Sequence, residues 1–337
     1  MLRAKLPFLG AFAGAALAAA LFTVLVVTEG SEPASLQPPA VQVPPDDPVL
    51  RDALVRPASI LPTVQPRNGR LGEPGRSGDC QAPEDPAPFD GTQVLSYYGN
   101  PYTADMGILG ELSPGDLVDR LTEHARLYDL LNGSLHVQPA LHLVYATAQN
   151  IPYPEGNYLL YVDRATLRQY IDLACENGLL IFLDLQIGRS DVTSEVTRIL
   201  PFLEQAHVHL GLDPEFAMPE GQVPGQSIGS LDATAVNAAQ ALLQELVAER
   251  GLPPKILVVH RFTEDMLTRP ELLEDYPEVR LVIDMDGFGP SEIKRVKYNR
   301  FAAPAPYSGI KLFFRQDPDL MSAEDVLELG PDVIIYQ

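Results

Sequence analysis

Two carboxylates stand two residues apart at the end of an apolar run. Residues 207–216 read His-Val-His-Leu-Gly-Leu-Asp-Pro-Glu-Phe, so Asp213 and Glu215 share one face of an extended segment while Leu212 takes the other. The same alternation recurs downstream and upstream. Asp184 and Gln186 alternate with Leu183 and Leu185, and Asp284 and Asp286 alternate with Ile283 and Met285. Lys311, Phe313 and Arg315 alternate with Leu312 and Phe314. His260 and Phe262 end one apolar run, and His142 stands in another. Tyr98 and Asn100, with Ser96 below them, end the first run, and Ile334 and Tyr336 end the last. Each run turns polar toward its C-terminal end. A dry core does not tolerate that many unpaired charges, so these ends must open into a site.

Crowded carboxylates push one another's pKa values apart, which leaves one acid and one base. That suits hydrolysis of a glycosidic bond between two carboxyl groups. Glu215 is the expected proton donor, with Asp286 or Asp184 as its partner and Asp213 beside it. Tyr98, Phe262 and Tyr336 are read as an apolar platform for a sugar ring. Asn100, His142, Gln186, Arg189, His260, Asp284, Lys311 and Arg315 complete the expected substrate contacts. A second reading is a metal-dependent hydrolase, with a divalent ion on His142, His260, Asp184 and Asp284. A third is a barrel that binds a ligand without turnover. The leading reading needs no metal and no cofactor.

The elements that position these residues alternate between strand and helix. Strands are expected over 93–100, 137–147, 179–187, 208–215, 255–262, 279–286, 308–315 and 332–336. Helices are expected over 113–133, 163–178, 193–206 and 232–251, from 290 onward, and over 322–329, with a short helical piece at 270–276. Ser113-Pro114 and Asp163 open helices, and Gly178 and Gly251 close them. Eight strands separated by helical stretches describe an α/β fold, a (β/α)8 barrel whose site lies at the C-terminal ends of the strands. A doubly wound open sheet is the runner-up, with fewer strands than are counted here. No outer helix follows the eighth strand, so another stretch must cover that seam.

The sequence before residue 91 has a different character. Residues 6–28 carry no charge and follow Arg3 and Lys5. Twenty-three such residues at ~1.5 Å each span a ~30 Å hydrocarbon core, and Leu21 to Val27 stays apolar beyond the Ala-rich centre. Residues 1–28 are therefore expected to be a retained signal anchor, a single transmembrane helix with the barrel on the extracellular side. Residues 29–90 hold 13 prolines from Ser31 onward and no periodicity, which reads as a disordered linker. Residues 91–337 form the barrel domain.

The net charge of −21 excludes a phosphate-backbone ligand, so no nucleic acid is expected. The partners expected instead are the membrane, through the N-terminal helix, and a carbohydrate or other small ligand at the barrel mouth. Cys80 and Cys175 are the two cysteines. No Cys-x-x-Cys occurs, so a structural zinc site is not expected. Cys175 is read first as a thiol on a buried helix face, with pairing to Cys80 the alternative in an oxidising compartment.

Some of these residues also carry a resemblance. Leu212-Asp213-Pro214-Glu215-Phe216, Pro224-Gly225-Gln226, Ile228-Gly229-Ser230, Asp232-Ala233 through Asn237, and Val258-Val259-His260 resemble a group of exported actinobacterial-type proteins, often lipoproteins. The resemblance covers roughly residues 178–286. It implies an exported barrel domain and names no reaction. This chain lacks a cysteine at its apolar segment, so lipid anchoring is not expected.

Overall fold

The computed structural model describes Phe89, residues 91–302 and residues 305–337. The expected anchor (1–28), the expected linker (29–90) and Cys80 lie outside the described residues, apart from Phe89. No helix among the described residues is long and apolar enough to cross a membrane.

Eight parallel strands close on themselves. They are β1 (Thr92–Gly99), β2 (His136–Ala148), β3 (Leu180–Gly188), β4 (Val208–Ala217), β5 (Lys255–Arg261), β6 (Val279–Met285), β7 (Tyr307–Leu312) and β8 (Val333–Tyr336). Neighbours pair in chain order, and β1 pairs with both β2 and β8, so no barrel strand is left as an edge. This is the expected (β/α)8 barrel. The strands are nearly continuous apolar runs because a parallel barrel strand is covered on both sides. Leu180–Gly188, for example, is buried along its whole length.

Among the described residues six α-helices form the outer layer: α1 (Pro114–Leu131), α2 (Arg164–Glu176), α3 (Val192–Leu203), α4 (Ala233–Arg250), α5 (Ser291–Phe301) and α6 (Ala323–Leu327). Their starts are set by side chains that accept the free N–H groups of the first turn. Asp163 accepts from Ala165 and Thr166, Asp191 from Ser194, Asp232 from Thr234 and Ser322 from Asp325. Gly251 closes α4 in the left-handed region (φ 63°), where a side chain is strained.

Between β5 and β6 the short helical piece expected at 270–276 is confined to one 3-10 turn at Pro270–Leu272. Two 3-10 turns, Glu264–Met266 and Pro270–Leu272, flank a two-residue strand that pairs with Leu231–Asp232. The stretch between Arg269, at φ 51°, and Pro277 is too short and too irregular to propagate a helix. Its backbone is satisfied by α4 instead. Asn237 donates to Leu272 O and accepts from Glu274 N, and Gln240 donates to Glu274 O. This explains two buried amides on a helix face that otherwise packs Val236, Leu243 and Val247.

The seam outside β8 and β1 is filled by aromatic rings. Tyr336 stacks on Phe314 at 5.0 Å and lies 4.5 Å from the His124 ring of α1. Its hydroxyl meets Tyr128 Oη at 2.7 Å, and Tyr97 Oη meets His124 Nδ1 at 3.1 Å. Cys175, on α2, is half-buried and disulfide-bonded, so the free buried thiol expected from sequence is not what stands there.

Candidate active site

The barrel interior changes character along its axis. The N-terminal halves of the strands contribute Val94, Ala140, Leu180, Phe182, Ile256, Val258, Val282 and Val333, with Ile335 above Val333, as one apolar cluster. Toward the C-terminal ends the inward positions become Tyr98, His142, Asp184, Asp213, His260, Asp284 and Lys311, all buried. Glu215 and Asp286 follow, partly open.

His260 is the centre of this layer. Its Nε2 lies 3.1 Å from Asp184 Oδ2 and its Nδ1 lies 2.9 Å from Asp284 Oδ2. Burial alone would favour the neutral ring, but Asp184 and then Asp284 overcome it and raise the pKa well above the ordinary value. His260 is thus an imidazolium that donates from both nitrogens. Asp184 shows the reverse balance. Burial opposes its charge, yet His260 and His142 hold it well below the usual carboxylate range. His142 Nε2 is 3.5 Å from the same Oδ2. Lys311 supplies the second cation, with Nζ 3.1 Å from Asp286 Oδ2 and 3.5 Å from the centre of the Tyr98 ring.

Glycines make room for these carboxylates. A Cβ at Gly211 would stand 2.8 Å from Asp184 Oδ1, and one at Gly309 would stand 2.9 Å from Asp284 Oδ1. Both occupy inward positions of their strands, β4 and β7.

Asp213 and Glu215 have a different environment from Asp184. Asp213 accepts from Gln186 Nε2 at 3.3 Å and from the Glu215 N–H at 3.0 Å, and neither carboxyl makes an ion pair among the described residues. Burial pushes Asp213 up to about 7, helped by Asp184 and Asp286. Burial, with Asp213 and Asp286, pushes Glu215 up to about 8. At neutral pH Glu215 is a neutral acid at the end of a strand that faces two cations held by other carboxylates.

The loop after β4 is fastened over this end. Gly229 N donates to Glu215 O at 2.6 Å, and a Cβ at Gly229 would lie 2.4 Å from Ala217 O. Ser230 N donates to Ala217 O and Met218 N to Gly188 O. Arg189 donates to Gln222 O at 2.6 Å and lies 4.4 Å over the Tyr158 ring. The loops after β6 and β7 are braced by a pair that the alternation did not single out. Lys294 of α5 is buried, 3.0 Å from Asp317 Oδ2, and donates to Gly287 O and Lys311 O. Asp317 accepts from Gly289 N and Phe313 N. The signal was present, since Lys294 shares helical spacing with Tyr298 and Phe301 on the buried face of α5.

The structure brings together most of the expected residues and removes some from the site. Tyr336 and Ile334 face outward. The register pairs Tyr336 with Tyr97 and Leu312, and puts Val333 and Ile335 beside the inward Val94, Ser96, Gly309 and Lys311. Arg315 lies beyond the end of β7, half-exposed, and pairs with Glu111 at 2.8 Å. Asn100 closes the top of β1, donating to Val144 O and Thr147 Oγ1. Arg189 holds a loop. Tyr98 does face inward, but Lys311 covers its ring, so it offers no open platform. Phe262 is half-buried beside Gly287. Phe288, which follows β6, is exposed and in edge contact with Phe313 at 6.0 Å.

No family model matches the sequence and no curated protein matches it. The resemblance to exported actinobacterial-type proteins therefore rests on the quoted motifs alone. Among solved structures, an oxaloacetate acetylhydrolase in complex with the product oxalate is similar at 12% identity, over 72% of this chain and 68% of that one, with a TM-score of 0.31. A xylose isomerase-like TIM-barrel protein from Mycobacterium smegmatis in complex with magnesium is similar at 12% identity, over 72% and 89%, with a TM-score of 0.33. A putative alpha-L-fucosidase from Bacteroides thetaiotaomicron is similar at 9% identity, over 82% and 91%, with a TM-score of 0.38. These neighbours include both hydrolases and an isomerase-like barrel. At such identities and TM-scores they carry no argument about activity.

Proposed function

We propose that the barrel mouth is the active site of a carboxylate-based hydrolase that acts on a glycan, with Glu215 as proton donor and Asp286 as its partner. One observation carries this reading. Of the five inward carboxylates, Asp184, Asp213 and Asp284 are buried, while Glu215 and Asp286 remain partly open. Those two differ in the way an acid and a base must. Glu215 makes no ion pair among the described residues and is pushed up to about 8, whereas Asp286 sits 3.1 Å from Lys311 Nζ. Asp184 is withdrawn from the role of partner by its burial and its bond to His260. Phe288 takes over the platform role expected of Tyr336 and Tyr98.

The test is turnover of aryl glycosides and an oligosaccharide panel by the unmutated chain and by Glu215→Gln. Lost turnover with retained binding supports the acid role. Unchanged turnover removes it, and binding without turnover in both proteins leaves a ligand-binding barrel.

We also infer that the domain is displayed outside a membrane, anchored by residues 1–28 and spaced by residues 29–90. The uncharged run after Arg3 and Lys5 supports this, and a disulfide at Cys175 suits an oxidising compartment. Protease treatment of intact cells should release the barrel; protection of the barrel would place it on the other side.

A further inference from the structure

Beneath the proposed acid and base lies a group of atoms that the hydrolytic reading does not use. His142 is fully buried, and neither of its ring nitrogens has a hydrogen-bond partner. Asp184 Oδ1 also has none. A neutral imidazole carries one N–H and one lone pair, and burying both without partners is unfavourable unless something else takes them. The lone pair and the carboxylate point to a cation.

The distances fit one. His142 Nε2 is 3.5 Å and His260 Nε2 is 3.1 Å from Asp184 Oδ2, and all three atoms lie within 4.8 Å of one another. Ligands at 2.0–2.1 Å around a tetrahedral zinc ion are separated by about 3.4 Å. We propose that His142, Asp184 and His260 form a binding site for one divalent transition-metal ion, with zinc the best match to two nitrogens and one carboxylate.

Two further observations support this site. An ion would displace the proton that His260 Nε2 otherwise shares with Asp184, while the Nδ1–H stays on Asp284 at 2.9 Å, so that carboxylate fixes the ring for its metal. The wall beside the ligands is Gly211, where a Cβ would come 2.8 Å from Asp184 Oδ1 and 3.0 Å from His142 Nε2. Glycine at that position keeps the cradle open. The neighbouring set His260, Asp284 and Asp286 is a poorer host, because Lys311 already occupies Asp286.

The proposal does not rest on the glycan reading, since none of its observations involves Glu215. The full chain is stripped with a chelator and titrated calorimetrically with zinc. One equivalent should bind, and His142→Gln and Gly211→Ala should each weaken it at least ten-fold while circular dichroism stays unchanged. No stoichiometric binding, or binding unaffected by both variants, overturns the site. Cobalt(II) added to the unmutated chain covers the case in which the variants do not fold. Intense four-coordinate d–d bands support the site, and the weak spectrum of the hydrated ion overturns it.

Discussion

His209 and His260 are both buried inside the same barrel and end in opposite states. His209 lies in the apolar half, against the Phe182 ring, and its Nδ1 accepts from the Ile256 N–H at 3.1 Å. Burial, with Lys255 and His207 nearby, keeps its pKa well below the ordinary value, so it is a neutral acceptor. His260 lies in the ionisable half between Asp184 and Asp284 and is held charged. The residue type is the same and the depth is the same. What differs is whether carboxylates or backbone groups face the ring. One half thus holds its histidine neutral on a backbone group, while the other half keeps mutually dependent charges of the kind a site requires.

The largest effect should come from breaking that dependence. His260→Leu leaves Asp184 and Asp284 buried without their shared cation, and should cost about 3–5 kcal/mol in urea unfolding. A cost below about 1 kcal/mol would mean that the charged half is as self-sufficient as the apolar one. The site proposed for Glu215 sharpens the same contrast. Glu215→Gln should lower turnover on a responsive glycoside by roughly 10²–10⁴-fold. It should leave thermal stability near neutral pH almost unchanged, because the native side chain is already uncharged there. A large loss of stability with intact turnover would assign Glu215 to structure.

The pH dependence follows with a definite sign. Glu215 is raised from 4.5 to about 8 and Asp213 from 3.8 to about 7, so the folded state binds more protons than the unfolded chain between those limits. Their contribution is full below about 4 and is lost as pH rises through about 8, so stability should fall across that window. Turnover should also fall as pH passes about 8. In Glu215→Gln the stability slope should flatten, and a pH-stability curve identical to that of the unmutated chain would place the proton elsewhere.

The eight strands were legible because each is an apolar run bounded by turn residues. The inward face was legible where a strand alternates, as in Asp184-Leu185-Gln186 or Asp284-Met285-Asp286. It was not legible in β8, where Val333-Ile334-Ile335-Tyr336 is apolar throughout and only the register with β1 and β7 assigns the faces. Arg315 was misplaced because β7 ends at Leu312 and a turn follows. The distinction between buried and open carboxylates lies beyond any single strand. Asp184 is covered because β4 presents Gly211 beside it and β5 presents His260 above it, which depends on stagger between neighbours that alternation does not encode.

The smallest effect belongs to the apolar half and tests whether it is merely a support. Ile256 is fully buried at the start of β5, and its backbone N–H is the partner of His209. Ile256→Val keeps that backbone bond and removes one methylene from the packed cluster. It should cost about 0.5–1.5 kcal/mol in urea unfolding. Turnover and its pH profile should stay unchanged, because Ile256 packs within the apolar cluster. A shifted pH profile would show that packing in the lower half sets the spacing of the carboxylates above it, and the two halves would then have to be treated as one coupled unit.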